Sequence, residues 1–216
     1  MFVGFACAYS FSAFFPEMQR EFSASRANVS LVFSIGGASY FILGAISGPL
    51  ADRYGPRWIC AFGMVLLGAG MVFAGNAPDL ASVYWGFGIG IGIGVGFSYV
   101  PSVGAVQPWF VARRGFASGL AVSGIGVGTL LGPIVASVLI SNFDWRTAFI
   151  VLGVTAVIVG CAAALVLENQ PARRGIDVSQ FAGAAAGGDR SLTLRQALRT
   201  RPFWLLTFSA SALSFA

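Results

Sequence analysis

Five stretches of 21 to 33 residues carry no charged side chain: 27–51, 58–78, 80–112, 115–143 and 147–167. A helix rises about 1.5 Å per residue, so roughly 20 apolar residues cross the hydrocarbon core of a bilayer. Each stretch can therefore span once. The longest is too short for two crossings with a polar turn between them, and Pro108 marks its end. Two shorter charge-free runs, 1–16 and 202–216, flank the five. Composition agrees. Charged residues are 10% of the chain, against about 25% in soluble domains, while 56% are of the hydrophobic set and 29 are glycine. A water-soluble globule of 216 residues could not cover itself with so few charges. The chain reads as an all-α integral membrane protein of several spans.

Residue usage excludes most other functions. There is no histidine, so the commonest metal ligand and acid–base group is missing, and no metal site is expected. Cys7, Cys60 and Cys161 lie singly inside apolar runs, with neither disulfide-framework nor CxxC spacing. The spans hold no paired carboxylates and no thiol–base pair, which argues against a membrane-embedded enzyme. All 13 basic residues are arginine and the net charge is +5. Because these arginines sit between the apolar runs, membrane topology explains them better than nucleic-acid binding does.

If the segment after the first run is outside, the inner loops hold Arg53, Arg57, Arg113, Arg114, Arg173, Arg174, Arg190, Arg195, Arg199 and Arg201. The outer loops hold Arg20, Arg26 and Arg146. Ten against three is a positive-inside bias. The expected organisation is a six-helix bundle over 1–167, a cytoplasmic linker over 168–201, and the start of a seventh helix over 202–216. Met1 has no charged segment before its apolar run, unlike a signal peptide, so the first helix reads as truncated and the chain as a fragment. Within the linker, Thr193 and Gln196 have capping-box spacing ahead of a short basic helix.

The fourth span carries Gly86, Gly88, Gly90, Gly92, Gly94 and Gly96. Such alternation resembles a strand, but a lone strand cannot cross lipid. On a helix the i, i+4 steps put glycine on more than one face, where neighbouring backbones can approach closely. The GxG fragments lack the preceding strand and the later acidic residue of a dinucleotide site, so no cofactor is expected. The fifth span holds Gly119, Gly124, Gly126, Gly128, Gly132 and Pro133. Glycine-rich, proline-interrupted helices suit the moving path of a transporter, and they equally suit plain close packing.

The segment "GPLADRYGPR" (48–57) breaks from lipid composition abruptly, and Gly55 and Pro56 enforce a tight turn. Asp52 beside Arg53 and Arg57 has two readings. It can form contacts that break and re-form in a conformational change, or the arginines can simply anchor a cytoplasmic loop.

This segment resembles the signature loop of the major facilitator superfamily, with Gly48, Asp52, Arg53, Gly55 and Arg57 matching and Pro56 departing. The superfamily's fifth-helix pattern is met by Gly119, Gly128, Gly132 and Pro133, with Ala136 and Ser137 in place of its closing glycines. "DWRTAF" (144–149) is similar to its turn between spans five and six. Tyr84 and Trp85 stand near the place where proton antiporters carry an arginine. Within the superfamily the chain resembles the monocarboxylate porters and their oxalate/formate relatives. That likeness rests on 9–22, 25–35, 97–124 and 198–204, above all the Trp-Phe, Arg-Arg and Gly-Leu-Ala order in 109–121.

The resemblance implies the first six-helix bundle (a 3+3 inverted repeat) of a twelve-span transporter in the cell (inner) membrane. Its partners would be the bilayer, the second bundle and a small organic anion. The anion would move with a proton or in exchange for another anion, by alternating access. Asp52, Arg53 and Arg57 would latch the cytoplasmic side. The groups holding the carboxylate would lie mostly in the second bundle. A sugar, drug or dicarboxylate is the alternative solute, with this fragment inactive alone. No charged residue lies mid-span, so this half offers a neutral wall. Tyr9, Tyr99, Gln107 and Ser123 are the candidate lining groups, and an interhelical hydrogen bond suits each of them as well.

Overall fold

Each of the five long charge-free stretches is helical over most of its described length. The structure, a computed structural model, describes residues 1–110 and 114–167; the expected linker and seventh helix lie outside the described residues. The first apolar run forms α1 (Phe2–Tyr9) and α2 (Phe11–Glu21). Then come α3 (Arg26–Tyr54) and α4 (Pro56–Gly75). The fourth stretch runs as α5 (Leu80–Val83), a π-helical turn over Tyr84–Ile89, α6 (Gly90–Val106) and a 3₁₀ turn over Gln107–Trp109. It is followed by α7 (Arg114–Asn142) and α8 (Trp145–Val166). Pro108 sits in the closing 3₁₀ turn, where the sequence places the end of that span.

Polar boundary residues set the ends. Ser25, Asp79 and Asp144 cap α3, α5 and α8, accepting the backbone N–H of Asn28, Ser82 and Thr147 respectively. Between α3 and α4 the chain reverses at Gly55, whose φ of +89° is open to glycine and strained for other residues. Pro56 follows at the first position of α4, where its missing N–H costs nothing.

The first span differs from its expected single helix by a break at Ser10. Pro16 inside α2 leaves the Ser12 carbonyl without its helix donor. The Ser10 hydroxyl donates to the Cys7 carbonyl at 2.6 Å and the Ser12 hydroxyl to the Tyr9 carbonyl at 3.1 Å. These local bonds compete with the backbone ladder at the point where it is weakest.

Glycine governs the packing. Gly86, Gly90 and Gly94 face α4, where a Cβ on Gly94 would stand 2.8 Å from the Gly63 carbonyl oxygen and one on Gly86 2.8 Å from that of Gly70. Gly88, Gly92 and Gly96 face α3, where a Cβ on Gly92 would stand 2.7 Å from the Gly36 oxygen. The alternating run is thus two interleaved rows, each serving one neighbour. A strict four-residue repeat drifts by about 40° per step on a 3.6-residue helix. The wider π turn at Tyr84–Ile89 rotates the chain the other way and keeps both rows in register. On its other side α4 meets α8, with Gly68 against Gly153 and Gly160 against Met64. Phe14, Met18, Val29, Val32, Leu67, Met71, Phe87 and Phe149 fill the core between these helices.

Candidate functional site

Close approach of α3 and α6 through Gly36 and Gly92 leaves a cleft of about 190 Å³ between them and α1. Its walls include Phe5, Tyr9, Phe33, Gly37, Tyr40 and Phe87, and no charged residue lines it. Phe5 of α1 is the hub. Its ring centroid lies 6.3 Å from Tyr9, 6.1 Å from Tyr40 and 5.8 Å from Tyr99, the last two edge-on. Tyr40 and Tyr99 meet edge-on at 5.9 Å, and Tyr9 meets Phe33 at 5.8 Å. Three tyrosines from α1, α3 and α6 therefore surround one phenylalanine. Among the described residues none of their hydroxyls has a hydrogen-bond partner, and no buried side-chain oxygen or nitrogen is left unsatisfied. The hydroxyls accordingly face open space. A phenolic O–H in that position can donate to an anion or a carbonyl.

The structure brings Tyr9 and Tyr99 around Phe5 and adds Tyr40, which no sequence motif marks. The signal was there: Phe33, Gly36, Gly37 and Tyr40 stand at i, i+3, i+4 and i+7, one face of α3. Gln107 and Ser123 fall elsewhere. Gln107 is exposed in the 3₁₀ turn after α6, and Ser123 is exposed on α7 with its hydroxyl donating to the Leu120 carbonyl at 2.7 Å. Helical phase explains both, since sequence shows that a polar residue lies in a span but not which way it faces.

A second, more open cleft of about 620 Å³ shares Tyr9 and Phe33 with the first and reaches Ser12, Ser30, Thr129 and Pro133. The fifth-helix signature residues divide. Gly128 and Gly132 let α7 lie directly on α1. A Cβ on Gly128 would stand 2.6 Å from the Phe2 oxygen, and one on Gly132 would overlap the Ala6 carbonyl. Pro133 borders the open cleft, and Gly119 faces open space with nothing within 4 Å of its Cβ position.

At one end of the bundle the signature loop closes α3 onto α4. Gly48 rests 3.5 Å (from its Cβ position) from Val100 of α6. Asp52 and Arg53 are exposed, and the Arg53 guanidinium lies 5.3 Å from the Tyr54 ring centroid. Arg57 Nε donates to the Leu167 carbonyl at 3.4 Å, which ties the start of α4 to the end of α8. The ion pairs among the described residues are Glu17–Arg20 and Glu21–Arg146; Asp52 takes part in neither.

The opposite end is fastened by Arg146. Its Nη1 donates to the Gly75 and Ala77 carbonyls at 3.3 and 2.7 Å, its Nη2 reaches Glu21 at 3.2 Å, and its guanidinium lies 4.5 Å from the Trp145 ring centroid. One side chain thus joins α2, the end of α4 and α8.

The five long helices, each long and apolar enough to cross a membrane, the glycine-backed packing and the loop at 48–57 define a multi-pass integral membrane protein. The sequence pattern of the Major Facilitator Superfamily matches residues 1–216, and the chain belongs to that superfamily. It is similar to monocarboxylate transporter 6 of Homo sapiens, at 35% identity over 140 residues, 65% of this chain and 28% of the relative. Monocarboxylate transporter 13 of Rattus norvegicus is 30% identical over 162 residues, 74% of this chain and 38% of the relative. Monocarboxylate transporter 1 of Mus musculus is 32% identical over 154 residues, 70% and 31% of the two chains. The chain spans about a third of the length of these relatives.

Proposed function

We propose that residues 1–167 are the first bundle of a secondary transporter that moves a small monocarboxylate by alternating access, with a proton or in exchange for another anion. The observation that carries this reading is that Tyr9 and Tyr40, with hydroxyls left without hydrogen-bond partners, line a charge-free cleft, with Tyr99 packed edge-on against Tyr40. Such donors orient a carboxylate while leaving its charge to be balanced from across the site. A second bundle supplies that balancing charge, because no charged residue lies mid-span here. The names of the relatives support the substrate class. Exposed apolar side chains along α3 and α7, among them Phe41, Ile42, Leu130 and Ile134, give the second bundle and the lipid a surface to cover.

In this reading Asp52, Arg53 and Arg57 form the cytoplasmic latch. Asp52 stands exposed and unpaired at the end of α3, free to meet the second bundle in one state and release it in the other. Gly128, Gly132 and Pro133 keep α7 against α1 so that the two move as one body. Linker 168–201 lies in the cytoplasm and the transporter in the cell membrane.

The test is uptake of labelled pyruvate by the complete transporter in proteoliposomes, for wild type and for Tyr9→Phe, Tyr40→Phe and Tyr99→Phe. Each change removes one hydroxyl and keeps the ring. At least one variant is expected to raise KM about fivefold or more with an unchanged melting temperature. Wild-type kinetics in all three would refute the assignment of the hydroxyls.

A further inference from the structure

We infer that the cleft between α1, α3 and α6 takes an aromatic ring carried by the substrate, so that the preferred solute is an aryl-bearing monocarboxylate rather than lactate or pyruvate. The inference rests on the monocarboxylate reading above and deepens it.

Size comes first. An apolar cavity of about 150 Å³ seats a benzene ring, and this cleft has about 190 Å³. Pyruvate has no side chain beyond a methyl to fill it. The walls come next. Phe5, Phe33, Tyr40 and Phe87 surround the space, and rings prefer the edge-to-face and offset contacts that such walls offer. Phe87 is held in place from behind, 5.0 Å from the Phe11 centroid and 5.5 Å from that of Phe149, so it cannot swing in to close the gap.

The floor is the third observation. Gly37 lines the cleft, and a Cβ built on it meets no heavy atom within 4 Å. The other glycines at this contact are all occupied by a neighbour: Gly36, Gly92 and Gly96 are pressed against the backbone of Gly88, Gly36 and Gly44, and Gly44 and Gly48 rest against the Val100 side chain. Packing therefore accounts for those and not for Gly37, whose missing side chain leaves volume that no part of the described bundle uses. Polarity is the fourth. Tyr9 and Tyr40 bring the phenols to a cleft lined otherwise by apolar residues, a composition that suits a ligand with an apolar tail and a carboxylate.

Kinetics of the complete transporter in proteoliposomes test this, with labelled pyruvate, phenylpyruvate and octanoate as the probes. Burying one ring is worth about ten- to a hundredfold in affinity, so wild type is expected to show a KM for phenylpyruvate at least tenfold below that for pyruvate. Gly37→Leu projects a side chain into the cleft from a position whose Cβ meets no heavy atom within 4 Å. In folded protein it is expected to erase the phenylpyruvate advantage over pyruvate. Gly37→Ala, which adds a single carbon, is expected to give a smaller loss in the same direction and serves if the leucine variant is unstable. Equal KM values for pyruvate and phenylpyruvate in wild type overturn the inference and leave the monocarboxylate reading standing. So does a KM for octanoate below that for phenylpyruvate, which would mark a seat for a linear chain. Absence of uptake of all three acids by folded protein overturns the monocarboxylate reading and this inference with it.

Discussion

Arg146 counts in the sequence only as one of three arginines on the sparsely charged side of the membrane. In the fold it closes that side, holding the carbonyls of Gly75 and Ala77, the carboxylate of Glu21 and the face of Trp145. The same motif, "DWRTAF", gave the superfamily likeness, yet no spacing rule links position 146 to positions 21 and 75–77, because the contacts cross three helices. Arg146→Ala leaves two carbonyls without their donor and is expected to destabilise the bundle by about 1–3 kcal/mol. A thermal melt in detergent should fall by several degrees. Glu21→Gln should cost less than about 1 kcal/mol, since that pair is half exposed. Asp52→Asn acts differently. The group is exposed and unpaired, so the melt should be unchanged while transport falls at least tenfold. Loss of membrane insertion instead would make Asp52 a structural residue.

At the level of the helices, the alternating glycines of the fourth span show what a pattern can and cannot convey. Their spacing implied close contact on more than one face. It could not assign 86, 90 and 94 to α4 and 88, 92 and 96 to α3, nor reveal the π turn that keeps the rows aligned, because neighbours are chosen by the whole bundle. Gly92→Val would drive a side chain into the Gly36 carbonyl of α3, and Gly132→Leu into Ala6 of α1. Overpacking of this kind costs about 1–3 kcal/mol or more, and both variants should lose monodispersity on size exclusion. Gly119→Ala, with open space around it, should behave as wild type despite belonging to the same signature. The helix caps add a pH term. The Asp144 carboxyl is held below its ordinary value of 3.8, first by the Thr147 backbone N–H. A group depressed in the folded state stabilises above its unfolded pKa and loses that effect as pH falls through the folded value. Wild type and Asp144→Asn should therefore differ in melting temperature at pH 7 and draw together progressively as the pH falls below 3.8.

At the largest scale, the five long spans among the described residues were legible because charge-free length is a local property. The arginine distribution predicts a sidedness for two ends that the fold defines, Arg57 meeting the end of α8 at one and Glu21, Ala77 and Arg146 meeting at the other. Single cysteines at Tyr54 and Asp79, in a background with Cys7, Cys60 and Cys161 replaced, should label from the cytoplasm and from outside respectively; the reverse pattern would invert the topology. The aromatic site was legible only in part. Tyr9 and Tyr99 stood out as hydroxyls in apolar runs, as did Gln107 and Ser123, and only the packing of α1, α3 and α6 separates the first two from the others and brings Tyr40 beside them.

Uptake of labelled lactate, pyruvate and phenylpyruvate by the complete transporter in proteoliposomes, with and without an inward proton gradient, tests the central claim most directly. Uptake of a monocarboxylate, stimulated by the gradient or by a trans anion and reduced by Tyr40→Phe, is the result expected. No uptake of any of the three by protein of normal melting temperature would contradict the monocarboxylate assignment, and the superfamily fold would stand without it.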